Sequence, residues 1–252
     1  MRLTSVLAGC SAAALLSLAG PAEAATPETP ITCGMVVEAD ASLYLADDLS
    51  CATPVGVRIQ QDNSGDAGAP TVTVDLRGHT LRGPGAGTGI STYDYPNVIR
   101  ATVTNGRVES WDVGISGGGD TTLEEMKLVD NRVGFSCWEG CRIDQTTFKA
   151  NQTGFDISAE TGGVITRSTF TRNEVGARVA GITSSLSVEH SRFSKNGTGL
   201  LVSQARAASS FDRFAKNAVA IRVEVDDNDF GCLSSVGDRF VKNGTDVLGP
   251  VC

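Results

Sequence analysis

Aromatic residues are scarce in this chain of 252 residues, at 6%, and histidine is scarcer still, with two. Neither His79 nor His190 lies beside a Gly-x-Ser-x-Gly segment, so no catalytic triad can be assembled from the sequence, and both read as core or turn residues. No run of 18 or more apolar residues lies beyond the N-terminus, which excludes a transmembrane segment. Positive charge is in deficit, with 21 Lys and Arg against 29 Asp and Glu and a net charge of −8. A general nucleic-acid binder, whose footprint is basic, is therefore not expected. Against these shortages stand 29 glycines and 40% hydrophobic residues. That apolar content is too high for a disordered chain, and the glycines are too few and too irregular for collagen. The balance points to many tight turns and a core of small and branched residues.

The N-terminus reads as an address. Arg2, an apolar stretch centred on Ala12 to Leu18, and Ala22-Glu23-Ala24 have the layout of a secretory signal peptide, residues 1–24, with cleavage after Ala24. Leu7-Ala8-Gly9-Cys10 has the form of a lipoprotein cleavage box and is the competing reading. Either way the protein is exported, and a secreted, extracellular protein can form disulfides. Six cysteines remain after cleavage: Cys33, Cys51, Cys137, Cys141, Cys232 and Cys252.

A repeat organises the rest. Phe148-x-x-Asn151-x-x-Gly154 returns as Phe170-x-x-Asn173-x-x-Gly176, as Phe193-x-x-Asn196-x-x-Gly199 and, with alanine in the last place, as Phe214-x-x-Asn217-x-x-Ala220. Leu128-x-x-Asn131-x-x-Gly134 precedes the series and Phe240-x-x-Asn243 closes it. The asparagines are spaced 20, 22, 23, 21 and 26 residues apart. After the glycine, an apolar place (Ile115, Phe135, Phe155, Leu200, Ile221) alternates with a mostly polar one (Ser116, Ser136, Asp156, Arg178, Arg222). Period two means a short strand with one buried face. One turn per coil and a variable period fit a parallel β-solenoid. In this reading the asparagines take the left-handed turn conformation while their amides bond the next coil. The glycines close the turns, and the phenylalanines point inward.

These repeats resemble those of right-handed parallel β-helix proteins of the pectate-lyase-like superfold. Cys33-Gly34, Leu43, Leu45, Asp48-Leu49-Ser50-Cys51 and Val74-Asp75-Leu76-Arg77-Gly78-His79-Thr80-Leu81 are similar to the opening of many exported bacterial β-helix repeat proteins. The resemblance implies an all-β, right-handed parallel β-helix of about nine to ten coils, forming one domain over 25–252. It implies little about function, because the superfold hosts lyases, hydrolases, epimerases and non-catalytic adhesins. Polysaccharide hydrolases on this fold carry Gly-His-Gly and Arg-x-Lys segments, and neither occurs here. On such a solenoid, Cys232 with Cys252 and Cys33 with Cys51 stack on adjacent coils, ~4.8 Å apart. Cys137 and Cys141 then close a small loop, with a metal site as the rival reading.

Four constellations carry candidate chemistry. Arg192, Arg213 and Arg239, with Lys195, Lys216 and Lys242, repeat at identical phases in three successive coils, and Arg172 extends the lysine column. Stacked like charges repel, so this arrangement suits an extended anion such as an acidic polysaccharide or cell-envelope polymer. The bland alternative is neutralisation by Asp212 and Asp238. Tyr93 and Trp138 fall at the same phase two coils apart and could stack on alternate sugars or simply pack in loops. Asp156, Arg178 and Arg222 share the outward strand position, as lyase ingredients or as a surface ion pair. Asp226, Asp227 and Asp229 could hold Ca²⁺, although the spacing departs from the usual loop and a solvated loop serves as well; no other cofactor is expected. The expectation is non-catalytic binding of an acidic polysaccharide. The alternatives are a lyase or epimerase, or a structural module, and sequence leaves oligomeric state open.

Overall fold

The computed structural model describes residues 27–38, 40–61, 70–92, 99–158, 161–225 and 231–252. Within them the chain forms 27 strands and no helix. A typical coil has three strands, such as Cys141–Asp144, Thr147–Lys149 and Thr153–Ile157, here called the first, second and third faces. Every strand pairs in parallel with its counterpart on the neighbouring coils. The third face is a ten-stranded sheet, and the first two form one bent sheet of 17 strands.

Two corners of the coil are each made by one left-handed residue. At the first corner Asn105, Glu125, Gln145, Arg167, His190 and Phe211 have φ between 47° and 56°. At the second corner, between the second and third faces, Ser110, Asp130, Ala150, Arg172, Lys195, Lys216 and Lys242 have φ between 53° and 60°. Here the sequence-based expectation is corrected: the residue before each repeat asparagine carries the turn. The asparagine itself points inward and is buried. Asn173 Oδ1 accepts from the backbone N–H of Asn151 at 2.9 Å and from its Nδ2 at 3.1 Å, while Asn173 Nδ2 donates to the Phe148 carbonyl at 3.1 Å. The same bonds recur from Asn131 to Asn243, and they satisfy corner groups that no strand ladder can reach. Trp111 ends the series: its N–H donates to Asn131 Oδ1, and its indole Nε1 donates to the Leu81 carbonyl.

The glycine expectation is corrected too. Gly134, Gly154, Gly176 and Gly199 lie inside third-face strands. A Cβ on Gly176 would sit 2.4 Å from the Gly199 carbonyl oxygen and 3.0 Å from the Phe193 ring. Close approach of coils, rather than turn geometry, demands glycine there. The inward phenylalanines are confirmed. Phe148, Phe170, Phe193 and Phe214 are fully buried, and consecutive rings from Phe148 to Phe240 stack at 4.6, 4.6, 4.9 and 5.4 Å.

All three expected disulfides are present. Cys33–Cys51 and Cys232–Cys252 tie the two ends, with Cα separations of 5.5 and 5.3 Å, and Cys137–Cys141 closes the short loop. Three bridges fit an extracellular protein.

Candidate ligand-binding face

The second face shows its first outward position in an unbroken register. Thr80, Arg107, Lys127, Thr147, Thr169, Arg192, Arg213 and Arg239 succeed one another on consecutive coils. Each is outward because the next residue (Leu81, Val108, Leu128 and then the phenylalanines) is turned into the core. Three residues further on, the second corner presents Arg172, Lys195, Lys216 and Lys242, whose left-handed backbone leaves these side chains exposed. The structure thus brings together the six expected Arg and Lys residues and adds Arg107 and Lys127 to the same row. Those two escaped the sequence because Val108 and Leu128 stand where later coils have phenylalanine. The signal was the shared phase of a cation before an inward apolar residue.

Neutralisation is partial. Arg77, Arg82, Arg100, Arg107, Arg132, Arg167, Arg178 and Arg222 each pair with a carboxylate. Among the described residues, Arg172, Arg192, Lys195, Arg213, Lys216, Arg239 and Lys242 make no ion pair within 4.0 Å. Off the row, Arg58, Arg142 and Lys149 also make no ion pair within 4.0 Å among the described residues. Asp212 and Asp238, the expected counter-ions, are turned to backbone work instead. Asp212 Oδ1 accepts from Ser191 N–H at 2.6 Å, and Asp238 Oδ1 accepts from Asp212 N–H at 2.9 Å. They continue a corner ladder begun by the hydroxyls of Thr146, Ser168 and Ser191. Arg213 Nε is buried with no hydrogen-bond partner among the described residues, as is Asp156 Oδ1 on the third face.

Acidic groups gather across the first corner. Asp75, Glu124, Asp144 and Glu189 share one outward row of the first face, interrupted by Thr104 and Thr166. Arg167 donates to Asp144 and holds its carboxyl down at about 2. On the third face Asp156 pairs with Arg178 at 3.6 Å, but the aspartate side chain is 14% exposed rather than solvated as the surface-pair reading expected, and Arg222 pairs with Glu224 at 3.0 Å. Burial pushes the Asp156 carboxyl up, against the pull of Arg178 and Arg132.

The remaining candidates fare differently. Trp138 is 38% exposed in the disulfide loop, and Tyr93 lies outside the described residues. Asp226, Asp227 and Asp229 also lie outside them, and no cluster suited to a metal ion occurs among the described residues. His79 sits at the first corner, 3.6 Å from Asp48, and His190 is exposed. Several grooves mark the described surface. One of about 620 Å³ lies between Asp75, Arg77, Arg107, Glu125 and Lys127. Another, of about 580 Å³, is an apolar trough over Val164, Leu186, Ala207 and Ala208. A third, of about 320 Å³, is lined by Asp120, Thr122 and Arg142.

A family model described as "Right handed beta helix region" matches residues 57–215 and 112–244. No curated protein matches the sequence. Among solved structures, the chain is similar to tailspike protein 2 of bacteriophage CAB120 of Escherichia coli O157:H7. The identity is 13%, the TM-score 0.48, and the match covers 85% of this chain but 35% of the tailspike, about a third of its length. Endopolygalacturonase I from Stereum purpureum matches at 14% identity and TM-score 0.49, over 89% of this chain and 94% of its own. The A-module of a mannuronan C-5 epimerase from Azotobacter vinelandii matches at 13% and 0.43, over 89% and 84%.

Proposed function

The chain belongs to the right-handed β-helix family, and on that scaffold we propose that it binds an acidic polysaccharide, without chemical turnover, along its second face. One observation carries the reading: the cations at and beside Arg192, Arg213 and Arg239 stand in register on adjacent coils and make no ion pair within 4.0 Å among the described residues. Coils repeat every ~4.8 Å, so each like-charged neighbour raises the cost of the next. A polymer whose own charges repeat removes that repulsion along the whole row, whereas a small anion reaches one or two cations. Arginine supplies a planar donor fork suited to carboxylates, and lysine a mobile point charge at the flank. Thr147 and Thr169, between the two basic stretches, offer hydroxyls to a neutral portion of the polymer.

The test is retention of the protein on immobilised pectate, alginate and heparin at low salt. Wild type is retained, and the Arg192→Ala/Arg213→Ala/Arg239→Ala variant is not. Unchanged retention of the variant, or none of the wild type, overturns the proposal. Ultraviolet-absorbing unsaturated products from the same polymers would instead establish a lyase.

A further inference from the structure

We infer that His190 and Phe211 form a stacking platform for a pyranose ring of the bound polymer, an inference that rests on the polysaccharide reading above. Their rings lie on successive coils with centroids 5.4 Å apart and planes 20° from parallel. Each stands two residues before a member of the arginine row, Arg192 and Arg213, so the platform borders the basic face at the first corner.

The fold gives no reason for these side chains. Both residues occupy the left-handed first corner, φ 53° and 55°, which other coils fill with Asn105, Glu125, Gln145 and Arg167, so the corner itself asks for no aromatic ring. Burial does not explain one either: Phe211 is 62% exposed, whereas Phe135, Phe148, Phe155, Phe170, Phe193 and Phe214 are fully buried. On the next coil the corner residue is Gly237. A Cβ there would lie 2.8 Å from the Phe211 ring, so the ring packs over the glycine backbone, which closes that end of the pile. On the other side of the pile, a cavity of about 430 Å³ is lined by Thr166, Arg167, Glu189 and His190. An apolar ring face flanked by hydroxyl, guanidinium and carboxylate groups matches a pyranose, which has a C–H face and a hydroxylated rim. The carboxylates of a uronate polymer would then point to the arginine row rather than to Glu189.

Binding of oligogalacturonate, dextran and polyglutamate to wild type, Phe211→Ala and the triple arginine variant separates platform from charge. Phe211→Ala should weaken oligogalacturonate about three- to tenfold, the scale of one ring contact, and leave polyglutamate unchanged. The arginine variant should weaken both polyanions. The thermal midpoint of Phe211→Ala should match wild type, because the ring is exposed. Unchanged oligogalacturonate affinity in Phe211→Ala, or an equal loss for polyglutamate, overturns the platform. If wild type binds neither polyanion, the charge reading fails. The platform then stands only if dextran binds and Phe211→Ala weakens it, and falls if no pyranose polymer binds.

Discussion

Replacing Asp212 by asparagine should make the protein more stable at neutral pH. Asp212 is 1% exposed, and its carboxylate accepts from Ser191 N–H at 2.6 Å and from the Ser209 hydroxyl at 2.9 Å. The equivalent groups on the three preceding coils are neutral hydroxyls, those of Thr146, Ser168 and Ser191. Burial pushes the Asp212 carboxyl up to about 6, with Asp238 on the next coil adding to the rise and the hydrogen bonds opposing it. Unfolded, the group titrates near ~3.9. Between these values the folded chain holds a proton that the unfolded chain has lost, so stability falls as pH rises from about 4 to about 6. A difference of about two pH units at ~1.4 kcal/mol each gives up to about 3 kcal/mol. Asparagine keeps the Oδ1 acceptor for Ser191 and carries no charge. Unfolding free energies from urea titrations across this range should therefore coincide for wild type and Asp212→Asn near pH 4 and diverge, variant above wild type, by about 1–3 kcal/mol at pH 7.5. Groups such as Asp144 titrate in both proteins and cancel in the difference. A variant destabilised by the same amount at pH 4 and pH 7.5 would refute the reasoning.

Two further substitutions test the interior. Asn173→Ala removes the acceptor for Asn151 N–H and Nδ2 and the donor to the Phe148 carbonyl, all buried. Chemical denaturation should show a loss of about 3–5 kcal/mol, and a smaller loss for Asn243→Ala on the last coil, where the ladder is only partly buried. Gly176→Ala puts a Cβ 2.4 Å from the Gly199 carbonyl oxygen, whereas at Gly162 the nearest atom is the Ser185 hydroxyl at 3.3 Å. The first should lower the thermal midpoint sharply and the second by little; equal effects would contradict the close-approach explanation.

The fold was legible because a solenoid writes its period into the chain. The Phe-x-x-Asn-x-x-Gly phase located the stacked rings, the buried amide ladder and the strands after it. What the phase could not convey was which residue bears the turn. The left-handed corner accepts Ser110, Asp130, Ala150, Arg172 and Lys195 alike, so no turn-forming residue type marks it and the asparagine beside it drew the assignment. The arginine row was legible where a phenylalanine follows, and hidden at Arg107 and Lys127, where an aliphatic residue does. Phe211 was not legible at all: in Ser210-Phe211-Asp212 nothing distinguishes an outward corner ring from a core residue. Asp212 read as a counter-ion because sequence cannot show that its oxygens are occupied by backbone N–H groups.

The central claim is that the unneutralised arginines of the second face hold an acidic polymer. Its most direct test is the salt dependence of polygalacturonate affinity for wild type and for Arg192→Ala/Arg213→Ala/Arg239→Ala. Each arginine that displaces a counterion from the polymer contributes about one unit to the slope of log affinity against log salt. The predicted result is a steep negative slope for wild type and one shallower by about two to three for the variant. Coincident lines, in slope and in affinity, would contradict the claim.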